Sequence, residues 1–102
     1  AERIAMMKKN AIVINVARGA VCDEAALCAA VADGRIGAIG VDVYSKEPFD
    51  ADSPYAAVAG LPNVLLTPHM AWGSLEARNR CIAEIAENIK SYAGGGSRSR
   101  IV

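Results

Sequence analysis

Ala11-Ile12-Val13-Ile14-Asn15-Val16 is a short apolar run, rich in β-branched residues, with no polar alternation. Branching at Cβ favours extended backbone. A run without alternation reads as a strand covered on both faces, as in a parallel sheet. Two more runs of the same kind follow, Ile36 to Val43 and Asn63-Val64-Leu65-Leu66-Thr67, the latter stopped by Pro68. Between the first two, Arg18 to Cys22 reads as a loop. Asp23 then caps a helix over Glu24 to Ala32, whose alanines and Leu27 suit packing on a sheet. Asp33-Gly34 closes that helix with a residue able to take positive φ. Gly37 and Gly40 inside the second run suggest a helix or ligand passing close to the backbone. Ser45 to Gly60 is polar, carries Pro48 and Pro54, and holds one short helical turn around Tyr55 to Ala59.

From Ser74 the spacing changes. Leu75, Ala77, Cys81, Ile82, Ile85, Ile89 and Tyr92 recur at steps of three and four, which predicts a long helix, with Glu76 well placed in its first turn. Gly94-Gly95-Gly96-Ser97 ends it and leaves a flexible tail over 94–102. At the other end, Ala1 to Lys9 reads as the close of a helix begun upstream, its lysines suiting a C-terminus. Strand, helix, strand, short helix, strand, long helix is the order of a doubly wound α/β sheet. Three strands alone leave exposed edges, so further strands are expected to complete the sheet.

A length of 102 residues suits one small domain, and an apolar fraction of 53% is enough for a core. The formal net charge is zero, so no field argues for nucleic acid or an anionic membrane as partner. No apolar run approaches the ~20 residues of a membrane span. Cys22, Cys28 and Cys81 stand at no metal-ligand spacing; they read as small buried thiols in a reducing cytoplasm, with no metal.

Three polar groups then stand out. Arg18 follows the first strand, Glu47 the second, and His69, the one histidine of the chain, the third. In a parallel sheet the ligand crevice lies beyond the C-terminal strand ends, so all three fall on one edge. Each has a plain reading by itself: a surface charge, a solvated carboxylate, a structural hydrogen-bonding residue. Together they suit a 2-keto acid. Arginine grips the carboxylate with a bidentate fork. Histidine passes a proton to the carbonyl oxygen, and glutamate keeps the histidine protonated until it does.

Met7 to Gly19, Asp23 to Leu27, Gly37 to Pro48 and Asn63 to His69 together resemble the D-isomer specific 2-hydroxyacid dehydrogenases, over roughly residues 4 to 93. The resemblance implies the C-terminal portion of a Rossmann-like, doubly wound parallel sheet. Residues 1–93 would be the later part of the NAD-binding domain with the start of the return helix to the catalytic domain, and 94–102 a flexible tail. It implies catalytic roles for Arg18 on the substrate carboxylate, His69 as acid/base and Glu47 as its partner. It implies that Asp42 hydrogen-bonds the nicotinamide carboxamide and that Val16 and Ala17 line the ring, with Arg18 and His69 beside the cofactor. NAD is the implied cofactor, NADP remaining open, and the full protein is implied to be a cytoplasmic homodimer.

Trp72, three residues after the histidine, resembles the glycerate dehydrogenase (hydroxypyruvate reductase) branch; its other reading is a packing residue between domains. With Arg18 and His69 it would narrow the pocket to hydroxypyruvate or glyoxylate, D-glycerate or glycolate being the reverse substrates. The stretch His69-Met70-Ala71-Trp72 departs from the small residues common in the family. The chain also lacks a Gly-x-Gly-x-x-Gly turn, so by itself it is expected to bind dinucleotide weakly and not to turn over. Three other readings stand beside this one: a non-catalytic NAD(H)-binding relative of corepressor type, a phosphoglycerate dehydrogenase, and a structural or dimerisation fragment.

Overall fold

The computed structural model describes residues 2–101. The chain forms two units, Ala1–Ala71 and Trp72–Val102. In the first, α1 (Glu2–Ala5), β1 (Ile12–Asn15), α2 (Glu24–Ala32), β2 (Ala38–Val41) and β3 (Val64–Leu66) follow in order, with single 3-10 turns at Gly19–Val21 and Pro54–Ala57. The strands form one parallel sheet in the order β1-β2-β3. Its register pairs Asn15 with Val41 and Val41 with Leu66. The last residues of all three strands therefore stand in one row, and whatever follows them leaves from the same edge.

The strands are shorter than the apolar runs by one or two residues at each end, because pairing stops where the chain turns away. α2 forms where the sequence predicts. Oδ1 of Asp23 accepts the N–H of Ala26 at 3.0 Å, satisfying a donor that the first turn leaves open, and Gly34 closes the helix at φ 65°. Leu27, Cys28, Ala30 and Val31 of α2 are buried with Ile36, Ile39, Val41, Tyr44, Tyr55 and Val58. Each large apolar side chain so buried contributes about 1.5–3 kcal/mol. Tyr44 packs on Phe49 and Tyr55, with ring centroids 4.7 and 5.5 Å away.

Within the first unit that core covers one face of the sheet. Side chains alternate along a strand, and Ile12 and Ile14 of β1 and Leu65 of β3 are 65–69% exposed while Ile39 and Val41 are buried. Within the first unit the helical elements pack on the second of these faces, so the apolar run of β1 is an alternating strand in its surroundings. The glycine expectation is corrected as to the helix. A Cβ on Gly37 would meet the Asn10 carbonyl at 3.0 Å, and one on Gly40 only the Ile14 side chain at 3.7 Å. The close protein neighbour is β1 and the segment leading into it rather than a helix.

α1 ends at Ala5, short of Lys8 and Lys9. Its end is held instead by Arg35, whose guanidinium donates to the carbonyls of Met7, at 2.9 Å, and Ala5. The cation that suits a helix C-terminus thus comes from the turn after α2. The cysteines divide: Cys28 is buried, Cys22 half-buried and Cys81 exposed. Burial pushes the Cys28 thiol up to about 11, with the Glu24 carboxylate adding to the rise. Cys81 departs from the reading as a buried thiol because α3 presents it to solvent.

The second unit is α3 (Leu75–Ala93) and the segment after it. Oγ of Ser74 accepts the N–H of Ala77 at 3.1 Å and caps the start. Leu75, Ile82, Ile85, Ile89 and Tyr92 form an exposed apolar stripe. Arg98 returns to the helix, donating to Glu84 at 2.7 Å and Asn88 at 3.2 Å. No described helix is long and apolar enough to cross a membrane.

Candidate active site

The edge beyond the row Asn15–Val41–Leu66 gathers polar side chains. The first loop leaves from Asn15, which is buried and ties the turn it begins. Its Oδ1 accepts the N–H of Ala17 at 3.1 Å and its Nδ2 donates to the carbonyl of Arg18 at 2.9 Å. Val16, Ala17 and Arg18 are all exposed on this loop. The Arg18 guanidinium donates to the neighbouring Ala17 carbonyl at 2.6 Å.

The second loop leaves from Val41. Asp42 is 3% exposed, and its carboxylate takes three donors from the third loop. Oδ1 accepts from Thr67 Oγ1 at 2.5 Å and from the N–H of Met70 at 2.9 Å, and Oδ2 from the N–H of Ala71 at 2.8 Å. Burial works to raise the Asp42 carboxyl, but the bonds from Thr67, Ala71 and Met70 outweigh it and hold the group below its ordinary value. The Tyr44 hydroxyl reaches the carbonyls of Thr67, at 2.8 Å, and Val41, at 3.2 Å. It braces the ends of β2 and β3 against each other. The Tyr44 N–H donates to Oε1 of Glu47 at 2.9 Å, and the Glu47–Pro48 peptide is cis.

The third loop carries His69 at φ 53°, a left-handed conformation that costs a side-chain-bearing residue about 1–2 kcal/mol. The bonds to Asp42 on either side of it hold that conformation. Nδ1 of His69 lies 2.7 Å from Oε2 of Glu47. The hydrogen bond to His69 is the largest influence that lowers the Glu47 carboxyl, followed by the Tyr44 N–H; the charges of His69 and Arg18 add to it. A carboxylate so held accepts from the ring N–H. The pair is partly open to solvent, with side-chain exposures of 39% and 35%.

The structure therefore brings Glu47 and His69 into direct contact and sets Arg18 within electrostatic reach of them. Asp42 stands beneath the pair. Trp72 is exposed and belongs to the second unit. A cleft of about 670 Å³ runs along β3, walled by Tyr44, Phe49 and Leu66, with Glu47, Thr67 and His69 at its polar end. Neither Arg18 nor Val16 lines it. Among the described residues no group of three or more His, Cys, Asp or Glu is placed to hold a metal. Sequence reasoning gave no role to Asn15, Tyr44 or Thr67. The signals were present: an asparagine ending an apolar strand, and a threonine directly before Pro68.

The NAD-binding domain of the D-isomer specific 2-hydroxyacid dehydrogenases is the family description that matches residues 1–71. A glycerate dehydrogenase of Methylorubrum extorquens is 43% identical over 95 residues, covering 93% of this chain and 30% of that protein. A glyoxylate/hydroxypyruvate reductase B of Pectobacterium atrosepticum is 41% identical over 101 residues, covering 99% and 31%. A crystal structure of a D-isomer specific 2-hydroxyacid dehydrogenase from Xanthobacter autotrophicus, in complex with NADPH and MES, superposes with a TM-score of 0.73 at 40% identity. It covers 93% of this chain and 37% of that one. The chain spans about a third of the length of such relatives.

Proposed function

Because the chain belongs to the D-isomer specific 2-hydroxyacid dehydrogenases, we propose that the protein carrying it reduces a small 2-keto acid with a reduced nicotinamide dinucleotide, and runs the reverse oxidation. The observation that carries the reading is the Glu47–His69 pair, 2.7 Å apart on the same strand-end edge as Arg18. When bound, the dinucleotide supplies the hydride. His69 supplies the proton that the former carbonyl oxygen then requires. With Glu47 on Nδ1, proton exchange with substrate falls to Nε2. Arg18, which cannot lose its proton, clamps the substrate carboxylate.

The residues present fit a nicotinamide. The exposed Val16 and Ala17 offer a short apolar wall whose backbone Asn15 holds still. Asp42 uses three of the roughly four acceptor positions of a carboxylate, so one is left on Oδ2 for a carboxamide N–H. Its main duty is to fix the His69 loop. Hydroxypyruvate or glyoxylate is the substrate we favour; the names of the relatives support this choice. A cytoplasmic homodimer belongs to the same proposal, as do the boundaries 1–93 and 94–102.

The test is steady-state reduction by the full-length protein of hydroxypyruvate, glyoxylate, pyruvate and 3-phosphohydroxypyruvate, with NADH and NADPH in turn. The expected result is the highest kcat/KM on hydroxypyruvate or glyoxylate. Preference for the phosphorylated acid would reassign the substrate. Dinucleotide binding without oxidation by any keto acid would overturn the enzymatic reading in favour of a sensor.

A further inference from the structure

We propose that Glu24 is a positioning residue of this site, fixing the segment that carries Glu47 to the segment that carries Arg18. The inference rests on the dehydrogenase reading above. Oε1 of Glu24, in the first turn of α2, accepts the N–H of Ser45 at 2.7 Å. The preceding amide, Tyr44 N–H, goes to Oε1 of Glu47 at 2.9 Å. Two successive amides are thus held by two carboxylates. One comes from the Arg18 side of the site and the other is the partner of His69.

A second contact stitches the same two segments. A Cβ on Gly19 would lie 2.1 Å from the Tyr44 carbonyl carbon and 2.2 Å from the Ser45 nitrogen. The residue next to Arg18 therefore rests on the peptide whose N–H Glu24 accepts. Because Glu24 follows Gly19 by five residues and is fixed at the capped start of α2, the arginine loop and the glutamate loop are joined at two points.

This junction bears on rate. A 2-keto acid fixes the separation of its carboxylate and carbonyl by its covalent skeleton. Arg18 takes one end and His69 the other, and they come from the outer strands β1 and β3. Their separation is set by strand spacing, about 4.8 Å per step, and by how the loops above the strands are tied. Losing the Glu24 tie lets the middle loop, with Glu47 and hence the His69 ring, shift against Arg18. Substrate still binds, but its carbonyl no longer meets the proton donor squarely, and a shift near 1 Å costs on the order of a hundredfold.

The test uses the full-length enzyme, with kcat expressed per NADH-binding site so that misfolded molecules do not count. Glu24→Ala is expected to lower kcat about ten- to a hundredfold while leaving the KM for the keto acid within about threefold, since the Arg18 clamp is retained. Glu24→Gln, which keeps an acceptor at the same reach, should recover most of the loss. Glu24→Asp, which keeps the charge but falls one methylene short, should resemble the alanine variant. If the alanine variant does not fold, the contrast of Gln with Asp still decides. Wild-type kcat per site in the alanine or aspartate variant, a loss confined to KM, or a glutamine variant as slow as the aspartate one would each overturn the role of Glu24. A wild-type protein that reduces no 2-keto acid overturns the dehydrogenase reading itself. An active wild type with unaffected Glu24 variants removes the positioning role alone.

Discussion

The chain leaves β1 and β3 in different ways. After β3, Thr67, Met70 and Ala71 all donate to Asp42, the Thr67 carbonyl meets the Tyr44 hydroxyl, and His69 is paired to Glu47. After β1, Asn15 ties the start of the loop and Gly19 packs on the Tyr44–Ser45 peptide, but the Arg18 guanidinium itself rests on the carbonyl of its own neighbour. The contrast matches the two tasks. A group that transfers a proton gains rate from being fixed before substrate arrives. A group that grips a carboxylate is oriented by the charge-assisted fork it forms with it.

The sharpest way to break this contrast is to remove the fixed group. His69→Ala in the full-length protein should lower kcat for keto acid reduction by about 10²–10⁴, with dinucleotide affinity, measured by fluorescence titration, nearly unchanged. Next comes the anchor beneath it. Asp42→Asn replaces an acceptor oxygen by an NH₂ that faces backbone donors, leaving donors unpaired. We expect kcat to fall about tenfold or more, with a KM change smaller than the kcat change.

On the β1 side the same logic predicts the opposite signature. Arg18→Lys loses the planar fork, and one lost charge-assisted bond of about 1.5 kcal/mol corresponds to a rise in KM of about tenfold, kcat changing less. Should His69→Ala act mainly on KM, or Arg18→Lys mainly on kcat, the division of labour between the two loops is wrong.

Acid should also loosen the two sides unequally. Of the lowered carboxyls, Asp42 and Glu47 serve the β3 side, while Asp50, held down by Lys46, lies away from both loops that carry Arg18 and His69. A group whose native value is depressed contributes stability above its unfolded value, here 3.8 and 4.5. That contribution is lost as the pH falls through the lower native values. Unfolding midpoints measured downward from neutral pH should therefore fall below about pH 4.5 in the wild type, and fall less steeply in Asp42→Asn. The smallest effect lies under the site. The Tyr55 hydroxyl is fully buried and has no hydrogen-bond partner among the described residues, and burial pushes its ionisation upward. Tyr55→Phe should stabilise the protein by up to about 1 kcal/mol in thermal denaturation while leaving both kinetic signatures in place.

Much of this was legible in the residues, for identifiable reasons. Strand existence follows from three apolar runs, and parallel pairing then places Arg18, Glu47 and His69 on one edge. The cap by Asp23 and the turn at Gly34 are local chemistry and were read correctly. What escaped were several packing and anchoring relations between distant segments. The open face of β1 depends on which side α2 packs, a choice that a run of isoleucine and valine does not encode. The capping of α1 by Arg35 joins residues about thirty apart, so nearby lysines were the better guess from local sequence alone. The use of Asp42 as an anchor depends on three donors supplied by residues 67–71, and nothing within β2 signals them.

The uncovered row of Ile12, Ile14 and Leu65 has a practical meaning for anyone handling these 102 residues as a separate polypeptide. An exposed apolar sheet face flanked by unpaired strand edges is a surface on which identical chains adhere. Light scattering by the isolated polypeptide should climb with concentration, and Ile14→Thr, which alters only the exposed side, should delay the rise. Solubility is thus written on the face of the sheet that plays no part in the chemistry.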